Sequence, residues 1–300
     1  MPAESKHESG DRWLIEELCR GSSIAFQQLV DRFGGRLRAF ASRQLAGSGL
    51  DPDDAVQETF LSLVRNVHKL PEVRSLQGYL FTILRCRVAD LARSRGPTAG
   101  ALSLDAANAA TGYEPPGPGA SPSTYARRDE AVEARATVLA DVLDDLLTGL
   151  KEQRRFRDVK ILELLFSVGV NSKDAARLAD TSEPTVSRTR TALLEELQRA
   201  VSRHPKADAL ADLPAGDDVS SLVRTIWTDA LFSCIKRSTL GSYALGVLDD
   251  EWRDYVRFHL EVAGCEICQA HLEDLEKDGQ GISVATRERI VASSVGFLKR

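Results

Sequence analysis

Residue types that bind soft metal ions are concentrated near the end of the sequence. The stretch FHLEVAGCEICQAHL, residues 258–272, places two histidines and two cysteines within fifteen residues. Zn²⁺ prefers cysteine and histidine ligands, and a closed structural site needs four of them. Together with the upstream Cys234, the spacing predicts a structural zinc site whose ligands are Cys234, His259, Cys265 and Cys268. His271 is the alternative fourth ligand in place of Cys234.

The five cysteines of the chain allow two other interpretations of this stretch. A CxxC pair can be a redox dithiol, although the thioredoxin-like βαβ pattern that usually accompanies it is absent here. The cysteines can also be small core residues, which is the favoured interpretation for Cys19 and Cys86 because each lies in a helical apolar pattern. The histidine and the further cysteine upstream of the CxxC turn favour the metal site over both.

The composition is typical of a water-soluble globular protein with more than one domain. The chain has 300 residues, of which 43% are hydrophobic and 28% are charged. No apolar run approaches the roughly 18 to 20 residues that span a bilayer, and the N-terminus MPAESKHESGDRW lacks the apolar segment of a secretory signal. We therefore expect a cytoplasmic protein with reduced cysteines and no membrane partner.

Opposite charges are separated along the chain, although the net charge is only −5. Residues 74–95 hold five arginines and one acid, whereas residues 249–278 hold ten acids and three bases. A basic segment suits phosphate groups, and an acidic segment can contact a basic one. The pattern indicates nucleic-acid binding by the first segment, and either an internal contact or a solvated acidic face in the second.

Apolar residues recur at helical spacing along most of the chain, and two segments that break this pattern predict linkers. The predicted fold is all-α, with two helical domains joined by a flexible linker and followed by a small helical zinc-binding domain. The domains are predicted at 11–95, 129–203 and 219–280, the linkers at 96–128 and 204–218, and a C-terminal tail at 281–300.

The stretch SKDAARLADTSEPTVSRTRTALLEELQ, residues 172–198, predicts a helix-turn-helix. Small residues in the first helix allow a close crossing, and the second helix begins at Glu183-Pro184 with Ser182 as its expected N-cap. Four polar side chains on the second helix can face a DNA major groove: Thr185, Ser187, Arg188 and Arg190. The alternative is an ordinary helical hairpin with a solvated face.

Three stretches, DPDDAVQETFLSLVRNVHKL, SLQGYLFTILRCRVADLARSR and TVSRTRTAL, occur in this order along the chain. Together they resemble bacterial RNA polymerase sigma factors of the extracytoplasmic-function group, over residues 11–203. The resemblance implies a non-enzymatic protein with a promoter −10 domain, a linker and a −35 domain. The implied partners are promoter DNA and core RNA polymerase, through its β′ clamp helices and its β flap.

The resemblance also assigns roles to individual residues. It implies polymerase binding by Asp51, Asp54, Gln57 and Glu58, which would otherwise be read as a solvated acidic helix start. It implies binding of the unwound −10 strand by Arg74, Arg85, Arg87, Arg93 and Arg95, since cationic side chains grip the phosphates of single strands. Tyr79 stands where the family usually has tryptophan, but it lies on the apolar stripe of its segment and is predicted to be a core residue.

The stretch CIKRSTLGSYALGVLDDEWRDYVRFHLEVAGCEICQAHLEDL, residues 234–275, resembles the zinc-binding anti-sigma domain. This resemblance implies a fused zinc-binding domain of the anti-sigma type. From the acidic surface of that domain we derive the hypothesis that it holds the sigma domains in a closed, low-activity state, and the alternative is a solvated acidic face. The competing hypothesis is a stand-alone helix-turn-helix DNA-binding regulator that senses zinc or redox state. Such a regulator has no need for the segment 51–95.

Overall fold

The computed structural model describes residues 6–73, 75–94, 130–205, 223–227, 230–277 and 282–298. Over these residues the chain forms helices and no strand, so the predicted all-α class is confirmed. The calls on Arg74 and Arg95, and on most of the two linkers 96–128 and 204–218, lie outside the described residues.

Four helices form the first part of the chain: α1 (Lys6–Cys19), α2 (Ser23–Gln44), α3 (Pro52–Arg65) and α4 (Leu76–Ser94). A 3₁₀ turn at Val67–Glu72 leads from α3 towards α4. The N-caps explain where two of the helices begin. The hydroxyl of Ser22 accepts a hydrogen bond from the Ala25 amide, and the carboxylate of Asp51 accepts one from the Asp53 amide.

Four more helices follow: α5 (Glu130–Glu152), α6 (Phe156–Glu163), α7 (Ser172–Leu178) and α8 (Glu183–Arg203). A π-helical turn, Leu164–Val168, continues α6 and ends at Gly169, whose φ of 82° is left-handed. The helices α7 and α8 occupy the segment predicted as a helix-turn-helix, and they pack against each other. One detail of that prediction is wrong. Ser182 does occupy the N-cap position of α8, but its hydroxyl lies 2.9 Å from the Thr185 hydroxyl and caps no amide.

The C-terminal part forms α9 (Arg237–Ala244), α10 (Asp250–Glu261), α11 (Glu266–Glu276) and α12 (Val284–Leu298). A short helical stretch at 223–227 precedes them. The segment predicted as a tail therefore contains a helix of 15 residues. No helix in the described residues is long and apolar enough to span a membrane.

These elements belong to two compact units, Met1–Asp105 with Glu266–Arg300, and Ala106–Cys265. The unit boundaries do not coincide with the predicted domain 219–280. In the first unit, α11 packs against α2, and α12 packs against both α3 and α2. Gly34 of α2 permits this close approach, because a Cβ built there would lie 3.1 Å from Cδ1 of Ile282.

An aromatic cluster holds α10 on α6 within the second unit. The ring of Phe156 stacks on Tyr255 with centroids 5.2 Å apart and meets the edge of Trp252 at 4.8 Å. Tyr255 is fully buried, and buried aromatic pairs contribute about 0.5–1.5 kcal/mol beyond their area. Although α10 lies beyond the second predicted linker, it thus packs in one core with α6.

Candidate functional sites

The four predicted metal ligands lie together. One ligand atom from each of Cys234, His259, Cys265 and Cys268 can be chosen so that all four lie within 4.8 Å of one another. The sulfurs of Cys234 and Cys265 are 3.7 Å apart. This matches the separation of about 3.8 Å between two thiolates on a tetrahedral ion with bonds of about 2.3 Å, and it exceeds the disulfide bond length of about 2.05 Å.

The surroundings of His259 fit a bound cation. Its ring is fully buried, and Nδ1 pairs with the Glu163 carboxylate. Burial by itself lowers the pKa of His259, but the charges of Glu163 and Cys265 outweigh it and raise that pKa well above its usual value. An environment that favours positive charge this strongly also favours a metal ion, and a group of three cysteines and one histidine is a typical zinc set.

His271, the alternative ligand, has a different environment. It is buried in α11 with its ring centroid 5.7 Å from that of Phe81. It does not belong to the group of four. The choice of Cys234 over His271 therefore agrees with the geometry.

The predicted polymerase-binding residues lie at the start of α3, where α12 packs. The amide of Gln57 donates a hydrogen bond to the Ser293 hydroxyl at 3.3 Å, and Arg289 lies 3.9 Å from the carboxylate of Asp54. The neighbouring Asp53 accepts a hydrogen bond of 2.6 Å from Thr286. Glu58 and the capping residue Asp51 are exposed.

The described arginines of the predicted −10 region lie on α4 and make local contacts. Arg87 donates to the Ser62 hydroxyl at 3.0 Å, and Arg93 pairs with Asp90 at 2.7 Å. Arg85 lies over the ring of Phe40 at 5.9 Å. Tyr79 is half-buried, and burial raises the pKa of its hydroxyl, which agrees with its predicted place in the core.

The predicted −35 residues lie on the first turns of α8. Ser187 and Arg188 are exposed, whereas Thr185 and Arg190 are half-buried. The Arg188 guanidinium donates to the Pro184 carbonyl at 3.2 Å and to the Thr185 hydroxyl at 3.3 Å. These local contacts leave an exposed cationic side chain at the helix start, which is where a recognition helix contacts base edges.

Two features of these sites were missed by the sequence reasoning. The first is Glu163, which binds His259, and its signal was an acid inside the apolar run ILELLF. The second is α12, whose apolar residues Ile290 and Leu298 are buried. Helical spacing of apolar residues in 284–298 was the available signal, although nothing in the sequence identifies α3 as the surface they cover.

The segment that forms most of α2, together with α3 and α4, is similar in sequence to known proteins. Residues 29–98 match the family model for sigma-70 region 2. RNA polymerase sigma factor CnrH of Cupriavidus metallidurans is 30% identical over 182 residues, which cover 60% of this chain and 87% of that protein. No solved structure matches the chain.

The chain belongs to the family of RNA polymerase sigma factors. As a member, it is a transcription initiation factor that binds core RNA polymerase and promoter DNA, and it is not an enzyme. The predicted class of protein is thereby confirmed.

Proposed function

We propose that this protein is an extracytoplasmic-function sigma factor held in a closed, low-activity state by its own C-terminal region. The packing of α12 on α3 is the observation that carries the proposal. Arg289 and Ser293 of α12 contact Asp54 and Gln57, which are two of the four residues predicted to bind the β′ clamp helices. Two partners cannot occupy the same side chains at once, so α12 has to leave before the polymerase binds.

Ion pairs of modest strength fix α12 beside α2 and α3, which suits a contact that must open. Arg287 forms a two-pronged pair with Asp31, one arm of which measures 2.9 Å. Both side chains are at least one third exposed, at 35% and 53%. Exposed pairs of this kind contribute about 0–1 kcal/mol each, so the closed state depends mainly on buried apolar residues such as Ile290.

The acidic C-terminal segment contributes to closure through the −35 domain. Asp249 and Glu251 pair with Arg154 at 2.8 and 3.2 Å, and Asp254 pairs with Lys160. The acids were predicted to face the basic −10 helix, where Arg87 and Arg93 instead have Asp90 as a neighbour. The electrostatic contact that we propose is therefore between α10 and the start of the helix-turn-helix domain.

The group of three cysteines and one histidine holds structural Zn²⁺ in this proposal. A bound metal stabilises small domains whose apolar core is limited. The helices α9 and α10 are short, with 8 and 12 residues. The bound ion would fix the loop before α9 to the end of α10. The regulatory region then keeps one shape whether it is docked or released.

The DNA-binding roles follow from the predicted sites. Arg188 and its neighbours on α8 read the −35 element in duplex form, and the arginines of α4 hold the unwound −10 strand. The protein acts in the cytoplasm, where core polymerase and chromosomal DNA are available.

Two truncated proteins test the proposal, one ending at residue 204 and one ending at residue 281. Autoinhibition predicts that both bind core polymerase more tightly and transcribe more from the cognate promoter than the full chain does. The advantage of the shorter protein should shrink as salt rises, because the α10 ion pairs are screened. Equal or weaker binding by both proteins at every salt concentration would rule out inhibition by the C-terminal region. If neither protein nor the full chain binds polymerase, the stand-alone regulator becomes the better hypothesis.

A further inference from the structure

Glu163, at the end of α6, is a carboxylate buried inside the −35 domain. Its side chain is 1% exposed, and Leu162 and Leu164 beside it are equally buried. An ionised carboxylate in such surroundings is costly unless hydrogen bonds satisfy it. Its partners therefore indicate why an acid is present there.

Both partners of Glu163 in the described part of the chain lie on α10. The hydroxyl of Tyr255 donates to Oε2 at 3.4 Å, and Nδ1 of His259 pairs with Oε1. The helix-turn-helix itself supplies neither group, so the acid has no evident role in folding the −35 domain alone. Its carboxylate instead contacts α10, the helix that carries the predicted metal ligand His259.

We propose that Glu163 is the positioning residue of the metal site, and that through it metal binding and the docking of α10 on the −35 domain are thermodynamically linked. The proposal rests on the zinc site proposed above. Histidine ligands commonly donate their second ring nitrogen to a carboxylate, which fixes the tautomer and the ring orientation for the metal. With Nδ1 held by Glu163, Nε2 of His259 is the nitrogen left to face the cysteines.

Docking of α10 and binding of the metal should each strengthen the other. Docking of α10 brings Glu163 to His259 and raises the affinity for the metal. By reciprocity, the bound metal raises the affinity of α10 for the −35 domain by the same factor. Removal of the metal should then loosen α10 from α6, even though Phe156 and Tyr255, which stack between these two helices, are both still present.

The zinc affinity of the full chain tests the proposal by competition with a chromophoric chelator. Glu163→Gln keeps the shape and loses the charge, and we expect it to weaken zinc binding about 10-fold, with Glu163→Ala at the upper end of the 10- to 100-fold range for such partners. Asp254→Asn is the control, because it removes an ion pair between the same two helices without contacting the metal ligands. It should lower the zinc affinity far less than Glu163→Gln does, because an exposed ion pair contributes little to the docking of α10.

Two further measurements separate positioning from mere packing. The visible spectrum of the Co²⁺-substituted protein should change in Glu163→Gln and stay as wild type in Asp254→Asn. Hydrogen exchange of α6 and α10 should accelerate on chelation in the wild type, and less so in Glu163→Gln. Wild-type zinc affinity in a folded Glu163→Gln protein would overturn the inference and leave the zinc site standing. A wild-type chain that binds no zinc would overturn both.

Discussion

Gln57 and Ser293, 236 positions apart in the chain, are joined by a hydrogen bond of 3.3 Å. One belongs to the helix predicted to bind the polymerase, and the other to a helix close to the end of the sequence. In the proposed function, this contact makes the C-terminal helix a competitor of the polymerase for α3. The competition can be tested by substitutions that act on one helix of the pair.

Ile290→Asp should increase binding to core polymerase. Ile290 is fully buried in α12, and a charge placed there cannot stay in the apolar contact with the sigma domain. The apparent affinity of a protein that is mostly closed rises with its open fraction, so we expect a gain of about 10-fold or more. Ala292→Asp adds the same charge at an exposed position of α12 and should bind as wild type does. Equal affinities for the two variants would contradict a masking role.

Loss of a cysteine ligand should abolish stoichiometric zinc. The purified protein is expected to carry about one zinc per chain, and Cys265→Ser or Cys268→Ser should lose it because the thiolates provide much of the binding. Cys19→Ser is the matched control, since Cys19 is exposed and its sulfur donates to the Val67 carbonyl. Metal analysis and limited proteolysis of residues beyond 230 measure the outcome. Full zinc content in Cys268→Ser would remove that residue from the site.

The pair of Asp31 and Arg287 should make stability depend on pH in the acidic range. The hydrogen bond from Arg287 lowers the pKa of Asp31 below its ordinary value. A group with a lowered pKa stabilises the folded state fully above its unfolded pKa of about 3.9, and this stabilisation is lost as the pH falls through the folded pKa. Asp31→Asn should therefore cost less than about 1 kcal/mol above pH 5, and nothing at the lowest pH.

Urea unfolding between pH 2 and pH 7 measures that difference. Asp180→Asn provides the comparison, because Asp180 is exposed and its carboxylate has no hydrogen bond or ion pair with the described residues. A gap between wild type and Asp31→Asn that widens towards low pH would show that the sign is wrong.

Arg188→Ala should weaken binding to the cognate promoter by about 1–3 kcal/mol if the guanidinium reads a base edge. A phosphate contact would instead weaken binding to all sequences evenly. Arg199→Ala, an exposed position further along α8, should have a smaller effect. The titration is best done with the protein that ends at residue 204, in which no closure interferes. Unchanged promoter affinity would exclude Arg188 from the interface.

The helices and the metal ligands could be predicted because their signals are local. Ser22 and Asp51 cap helices within three residues, and Cys265 and Cys268 are separated by one turn. The surface against which an apolar stripe packs cannot be predicted from the neighbouring residues in the sequence. Ile282 lies against Gly34, and their juxtaposition depends on packing between segments about 250 positions apart.

Acids of the C-terminal segment pair with bases outside α4 in the described residues. Of the ten acids in residues 249–278, Asp249 pairs with Arg154 and Asp254 with Lys160. These two bases belong to the basic run KEQRRFRDVK, residues 151–160, which the sequence analysis did not single out. Ion-pair choice follows the surface that the apolar residues Trp252 and Tyr255 bring together. The role of Glu163 was not predicted because its partner His259 lies 96 positions away in the sequence.

Gly34 has a consequence for the lifetime of the active form. A glycine inside a helix costs about 0.5–1 kcal/mol relative to alanine, and α2 is the central helix of the sigma domain. In the closed chain, the side chain of Ile282 fills the space beside it. In the proposed open form that packing would be lost while the glycine remains, so the released sigma domain would be the less stable fold. Proteases cleave chains that open locally, so they should degrade the open form sooner than the closed form. The active protein would therefore persist for a limited time after each activation.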